Sequence, residues 1–307
     1  MIEPHATVVV CTRNRSAPLA EACEAALSLA APFDWELVIV DNASTDDTRD
    51  VARAIVARHP GRVRLVVESS LGLSAARNLG VRLARGEWIA FLDDDAVPAP
   101  GWLEAYDRAL AEPATGGAGG PVEPDFRGAL PDWFGPVFLP YVSAWDRGGE
   151  AHLLFHNEYP RGANMAFRRE ALAKVGDFDV RLGRRGRSLR SCEEIELCLR
   201  LERTGLAVVY EPAARVRHRV EADRLTRGWM LARFAAQGFS EAIVDWKHFG
   251  VKGVRQGLAR QREAVAHHDR MRGGPDLLVA GHRAALRSYR NGVFYAAVAV
   301  PRWTPTP

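Results

Sequence analysis

The stretch Gly86–Pro98, GEWIAFLDDDAVP, limits what this chain can fold into more than any other part of it. An apolar run from Trp88 to Leu92 ends in three consecutive carboxylates, Asp93, Asp94 and Asp95, and Pro98 and Pro100 then block further regular structure. The run is short and rich in aromatic and branched residues, which predicts a buried strand. Three carboxylates crowded at a strand end repel one another unless a cation or a set of donors sits among them. Open α/β sheets bind ligands outside the carboxyl ends of their strands. The stretch therefore predicts a cation-assisted site for a phosphorylated ligand, with a solvated acidic turn as the alternative.

The segments upstream repeat one pattern. Thr7–Val10 is β-branched and breaks into Thr12, Arg13 and Arg15, and Leu19, Cys23, Ala26 and Leu27 then recur at helical spacing after Pro18. Glu36–Val40 reads as a second strand ending at Asp41-Asn42. Ser44 with Asp47 three residues on predicts a capping box. Arg64–Val67 is a third strand, and Gly72-Leu-Ser74 opens a helix with Ala76, Leu79 and Leu83 on one face. Strands apolar on both sides, alternating with helices, predict an α/β fold: a Rossmann-like, mostly parallel sheet flanked by helices. The polar clusters after each strand then gather at one sheet edge. No Gly-x-Gly-x-x-Gly follows any strand and there is no Walker-type loop, which argues against a dinucleotide or P-loop site.

Composition excludes several classes. The 307 residues are 47% hydrophobic and 26% charged, as in ordinary globular proteins, and 41 basic against 38 acidic residues leave a net charge of +3, so no nucleic-acid partner is expected. Cys11, Cys23, Cys192 and Cys198 show no metal-type spacing. The N-terminus lacks a basic region followed by an apolar core, and no apolar run approaches the roughly 20 residues that span a bilayer. A reducing, cytoplasmic setting is the expectation, with the inner membrane face as a candidate peripheral contact.

Val8–Arg15, Val40–Thr48 (VDNASTDDT), Gly72–Gly80 (GLSAARNLG) and Phe91–Asp95 (FLDDD) together resemble the successive motifs of family 2 glycosyltransferases with the GT-A fold. The resemblance implies base and ribose contacts from Thr12, Arg13 and Arg15, a base contact from Asp41, and Arg77 beside the nucleotide. It matches Asp93–Asp95 to the family's DxD motif, with Asp93 near the ribose, Asp94 in support, and Asp95 ligating a divalent cation, Mg2+ or Mn2+, on the donor diphosphate. A hard cation held by carboxylates is the usual stabiliser of a departing diphosphate.

Further on, Glu112–Trp133 carries five glycines and several prolines and reads as a flexible connection between a nucleotide half, 1–112, and an acceptor half, 113–220. Trp133, Phe134, Phe138, Tyr141 and Trp145 offer either an acceptor platform or, more simply, core cover. Arg161–Arg169 (RGANMAFRR) also resembles the family near the donor sugar, where Asn164 could bond a hydroxyl. Arg181–Arg190, with Arg187 among its five arginines, reads as a mobile loop over an anionic diphosphate, or as a solvated or membrane-surface loop. Glu194, with Glu193 as the other candidate, falls where the family carries its Glu-Asp motif and is the implied base. Ser191-x-x-Glu194 also fits a capping box, and a helix N-terminus favours the anionic form. His218 is implied as a further metal ligand, set against a purely structural histidine.

The resemblance thus implies a metal-dependent inverting glycosyltransferase that uses a nucleotide-diphosphate sugar, UDP first and dTDP second. The acceptor is a hydroxyl-bearing glycan, lipid-linked saccharide or natural product. Rivals are a phosphohydrolase built on Asp93-x-Asp95, which would place its nucleophile on the opening strand, and a non-catalytic binding protein. The resemblance ends near residue 220. The basic, helical tail 221–307 is read as a membrane-surface element, a homodimer face or more core.

Overall fold

A computed structural model describes residues 3–155, 158–270 and 276–303; Met1 and Ile2 of the N-terminus discussed above lie outside the described residues. The first half runs β1 (Ala6–Thr12), α1 (Ser16–Leu27), β2 (Trp35–Asp41), α2 (Thr48–Arg58), β3 (Val63–Val67), α3 (Leu73–Leu83) and β4 (Trp88–Asp93). Then come β5 (Ala96–Pro98), α4 (Trp102–Leu110), β6 (Thr115–Gly119), β7 (Val122–Phe126), a 3-10 turn (Pro136–Val142), β8 (His152–Leu154) and β9 (Asn164–Arg168). The rest is α5 (Arg169–Val175), α6 (Glu193–Arg203), β10 (Ala207–Tyr210), β11 (Val216–Val220), a short 3-10 turn, α7 (Arg227–Arg270) and α8 (Asp276–Ala299).

The chain divides into two units. One comprises Met1–Asp125, Ser143–Val180 and Glu193–Arg219; the other comprises Phe126–Val142, Arg181–Cys192 and Val220–Pro307. The first unit holds an eight-stranded sheet in the order β3-β2-β1-β4-β9-β6-β10-β8. Its β3-β2-β1-β4 half is parallel, and β9 joins antiparallel to both β4 and β6. β1 and β2 are buried along nearly their whole length, which is why their sequences are continuous apolar runs without alternation. Each fully buried Val or Ile there contributes about 1.5–3 kcal/mol of transfer free energy.

Local packing corrects three expectations. The glycines after Glu112 form β6, an interior strand, and not a flexible connection. A Cβ at Gly117 would lie 2.6 Å from the Phe167 ring, and one at Gly119 2.3 Å from Pro160, so only glycine admits these neighbours. On α3 the buried residues are Ser74, Ala76, Arg77, Asn78 and Gly80, with Leu79 and Leu83 only half-buried. The helix lies so close to β1 that a Cβ at Gly80 would meet Val9 Cγ1 at 2.6 Å. Neither capping box forms. Ser44 Oγ accepts from Asn14 N–H at 3.1 Å, and Ser191 Oγ donates to Gln237 Oε1 at 2.8 Å, so both hydroxyls serve distant partners.

The second unit is largely helical. The α7 run is broken at Gly250, whose φ of 58° lies outside the helical region. Its aromatics cover core: Trp133 packs on Phe138 with ring centroids 5.4 Å apart, and Tyr141 stacks on Phe234 at 4.0 Å. The arginine stretch is pinned at both ends. Arg181 donates to Ala299 O at 3.1 Å, and Arg190 stacks on Phe239 at 4.3 Å. Among the described residues, no helix is long and apolar enough to cross a membrane, and none of the four cysteines is in a disulfide.

Candidate active site

Strand register brings the polar clusters together. Thr12 of β1 is the partner of Asp41 on β2, and Cys11 is the partner of Asp93 on β4, so three loops leave the sheet at one edge. Burial of Asp94 and Asp95 there demands compensation, and the nearest comes from the β1 loop. Thr12 Oγ1 donates to Asp94 Oδ2 at 2.7 Å, Arg15 Nε lies 3.0 Å from Asp94 Oδ1, and Arg15 Nη2 pairs with Asp95 Oδ2 at 2.6 Å. Thr12 and Arg15 hold the aspartates in this structure. Burial pushes the Asp94 carboxyl up to about 7, with Arg15 opposing the shift and Asp95 adding to it. Arg13 stays available: its Nε is buried without a hydrogen-bond partner.

Asp41 takes another role. Its Oδ1 accepts Ser44 N–H at 3.0 Å and its Oδ2 pairs with Arg49 Nε at 2.6 Å. The side chain has no exposed surface, so the direct base contact expected of Asp41 is corrected to shaping the β2–α2 loop.

On the other side of the aspartates, β5 pairs antiparallel with β11, placing His218 opposite Ala96 and Arg219 N–H on Asp95 O at 2.9 Å. His218 Nε2 thereby comes within 3.1 Å of Asp95 Oδ1. Ligand atoms of Asp93, Asp95 and His218 all lie within 4.8 Å of one another. The residues fit a divalent cation. Two carboxylates and an imidazole form a mixed oxygen and nitrogen donor set, and adjacent ligands of an octahedral ion with bonds of about 2.1 Å stand roughly 3 Å apart.

Arg77 was expected at the nucleotide, and burial moves it beneath the site. Only 2% of its side chain is exposed. Nη1 pairs with Glu193 Oε1 at 2.6 Å, while Nη2 donates to Gly162 O at 3.0 Å and lies 3.5 Å from Asp93 Oδ1. Its guanidinium also faces the rings of Phe91 and Phe178 at 5.8 and 5.7 Å. Gly162 is required here, because a Cβ would stand 2.7 Å from Arg77 Nη2.

Glu193 and Glu194 open α6, and Arg200 anchors that helix: it pairs with Glu196 at 2.8 Å and donates to the carbonyls of Gly176 and Asp177 at 3.1 and 2.8 Å. Glu193 pairs with Arg77 through Oε1, and its Oε2 has no hydrogen-bond partner. Glu194 is buried, its Oε2 has no hydrogen-bond partner, and burial followed by repulsion from Glu193 raises it to about 8. The expectation that the helix N-terminus keeps Glu194 anionic is therefore corrected. A terminus contributes about 0.3–1 kcal/mol, whereas burial shifts carboxylates by up to 3–5 pKa units of about 1.4 kcal/mol each. Arg161, which pulls Glu194 back down, escaped the sequence reading although its motif was noted.

The remaining candidates separate. Asn164 is fully buried: Oδ1 accepts from Trp102 Nε1 at 2.8 Å and Tyr106 OH at 2.6 Å, and Nδ2 donates to Pro121 O and Ala214 O at 3.0 and 2.6 Å. All four positions of the amide are filled, so the sugar contact expected of Asn164 is corrected to a structural joint. Arg187 is exposed in the second unit, beside Gly186, and its donor role rests on the sequence reading alone.

Comparison with known proteins follows the same line. The family described as Glycosyl transferase family 2 matches residues 7–176. The glucosyl-dolichyl phosphate glucuronosyltransferase of Haloferax volcanii is 30% identical over 250 residues, which cover 78% of this chain and 77% of that protein. The pre-mycofactocin glycosyltransferase of Mycobacterium tuberculosis is 30% identical over 249 residues, 79% of this chain but 48% of that protein. Among solved structures, a mannosyltransferase from Pyrobaculum calidifontis in complex with GDP-Man and Mn2+ superposes with a TM-score of 0.58 at 22% identity, covering 97% of this chain and 76% of that one. GalNAc-T7 with UDP, GalNAc and Mn2+ gives a TM-score of 0.62 at 16% identity, covering 96% and 57%. At such identities the structural likeness establishes the fold.

Proposed function

Membership of glycosyl transferase family 2, to which this chain belongs, is the premise from which we propose an inverting, metal-dependent transfer of one sugar from a UDP-sugar to a hydroxyl of a lipid-linked saccharide. A dTDP-sugar is the second choice of donor. The relative that matches 78% of the chain is named for transfer of a glucuronosyl group to a lipid-phosphate-linked glucose, which supports this acceptor class.

One observation carries the assignment of roles: Glu193 Oε1 is ion-paired with Arg77 at 2.6 Å, whereas Glu194 has no such pair among the described residues, although each carboxylate keeps a buried Oε2 without a hydrogen-bond partner. Glu194 is the base. Its Oε2 takes the acceptor hydroxyl proton as that oxygen bonds to the anomeric carbon, and the bond from that carbon to the diphosphate breaks on the opposite face. A group poised near 8 suits proton transfer at neutral to mildly alkaline pH. Arg77 positions Glu193, and through it the start of α6, against the Asp93 strand end. Asp93, Asp95 and His218 would hold the cation, which when bound neutralises charge on the departing diphosphate; the imidazole favours Mn2+ over Mg2+. Arg13, whose Nε is buried without a hydrogen-bond partner, takes a nucleotide contact.

The test is a transfer assay with UDP-, dTDP- and GDP-sugars against a polyprenyl-phosphate glucose and a free sugar acceptor, with Mn2+ or with chelator. Product from a UDP-sugar, Mn2+ and the lipid-linked acceptor, with the anomeric configuration reversed, is expected. Retention of configuration, or equal turnover with chelator, would overturn the reading.

A further inference from the structure

The helices of the second unit pack into a three-segment bundle. Before Gly250, α7 runs alongside α8 in the same direction: Gly238 lies against Ala285, Gly292 against Phe239 and Ala242, and Trp246 Nε1 donates to Val300 O at 3.0 Å. After Gly250 the chain returns, with Gly257 against Tyr289, Gln261 bonded to Glu241 at 2.7 Å and Arg283 paired with Asp269 at 2.9 Å. One end of the bundle is therefore the Gly250 bend together with the last turns of α8.

That end exposes apolar side chains. Phe294 is 76% and Val298 78% exposed, the two largest values for large apolar residues among the described ones, and Val251 beside the bend is 56% exposed. At 100° per residue, Arg287, Arg290, Phe294, Ala297 and Val298 fall within about 60° of one another's mean direction on α8. This face lies opposite the buried stripe of Ala285, Tyr289, Gly292 and Ala296. Lys252 and Arg255 are exposed on the returning segment just past the bend. Among the described residues, none of Lys252, Arg255, Arg287 and Arg290 has an ion-pair partner, and none is drawn into the unit's interior.

Charge selects the occupant. Residues 227–307 hold thirteen Lys and Arg against five Asp and Glu, a net +8 in a chain whose total is +3. A second copy would bring the same charge and be repelled. An anionic bilayer offers both an apolar layer for Phe294, Val298 and Val251 and phosphates for the basic collar. We propose that this end of the bundle docks on anionic phospholipid, with Phe294 and Val298 entering the headgroup boundary and Lys252, Arg255, Arg287 and Arg290 pairing with lipid phosphates. The contact is interfacial, since no described helix is able to span a membrane. It rests on the second unit alone and stands whatever the donor and acceptor prove to be.

Flotation of the full chain with vesicles tests it, using pure phosphatidylcholine against phosphatidylcholine containing roughly 30 mol% phosphatidylglycerol. Strong binding to the anionic vesicles only, weakened by high salt, is expected. Each surface cation is worth roughly fivefold in binding, so R287E/R290E, like F294S/V298S, should lose more than about tenfold. All four side chains are exposed, so thermal melts should match wild type. Equal binding to neutral vesicles, or wild-type binding by both double variants, would overturn the proposal. So would a dimer in sedimentation, abolished by F294S/V298S, without any vesicle binding.

Discussion

Arg77 and Glu193, 116 positions apart in the chain, form a 2.6 Å ion pair in which neither side chain is more than 6% exposed. The same guanidinium holds Gly162 O at 3.0 Å and lies 3.5 Å from Asp93. One buried cation thus ties the strand that carries the aspartates to the helix that carries both candidate bases. The pair underlies the proposal of Glu194 over Glu193 as the base, because a carboxylate ion-paired with a buried arginine is a poor proton acceptor.

Removing one partner strands the other charge in the interior, at a cost of about 3–5 kcal/mol, whereas removing both is far milder. Arg77→Met and Glu193→Gln should each lower stability strongly in denaturant melts, and the double variant should recover much of the loss. Arg77→Lys keeps the charge but cannot bridge three acceptors, so kcat should fall with little change in donor KM. A double variant whose loss equals the two single losses added together would show that the pair is not coupled.

Glu194 links activity to pH. Burial raises it to about 8, so the neutral form dominates below that value and the base form above it. The logarithm of kcat/KM should rise with unit slope as pH increases and level off above about 8. Stability moves the other way: a group whose folded pKa is raised contributes most below its unfolded value near 4.3, and that contribution is lost as pH climbs towards 8. Glu194→Gln should therefore be inactive, yet more resistant to heat than wild type at pH 9 and indistinguishable from it at pH 4. A variant that kept activity would remove Glu194 as the base.

Much of this was legible before any coordinates. Parallel strands buried on both faces announce themselves as apolar runs, and parallel order sends every following loop to one edge, so Thr12, Asp41 and Asp93–Asp95 were placed together correctly. Partner choice was not legible. Ser44 and Ser191 have the spacing of capping residues, but a hydroxyl bonds whatever the fold brings near it, here Asn14 N–H and Gln237. Arg77 on a helix looks solvated until tertiary packing buries it beside a carboxylate from the far half of the chain. The glycines at 116–120 carry a linker's composition, and only the Phe167 and Pro160 side chains packed against them explain why a strand needs them.

The carboxylates and His218 predict a graded loss of metal. Asp95 faces both Arg15 and His218, so Asp95→Ala removes a ligand and frees a cation beside the site. Mn2+ affinity, read by calorimetry in the presence of UDP, should drop at least about 100-fold in Asp95→Ala. His218→Ala should cost less, on the order of tenfold, and should bind Mg2+ and Mn2+ more equally than wild type, because the nitrogen ligand is what separates them. An unchanged Mn2+ affinity in both variants would dissociate these residues from the metal.

Asn164 separates a structural role from a substrate role. Its amide makes four hydrogen bonds, to Trp102, Tyr106, Pro121 and Ala214, although Pro121 O also accepts from Val216 N–H at 3.0 Å. An orphaned buried partner costs about 1–3 kcal/mol, and local relaxation recovers part of the total, so Asn164→Ala should lose about 3–5 kcal/mol in a denaturant melt. Asn164→Asp should do worse at neutral pH, since it sets a carboxylate oxygen against the carbonyls of Pro121 and Ala214. Neither change touches a sugar hydroxyl, so the donor KM of the fraction that remains folded should stay within about twofold of wild type, as fits removal of stability alone. A tenfold rise in donor KM with an unaltered melt would restore Asn164 to the sugar site.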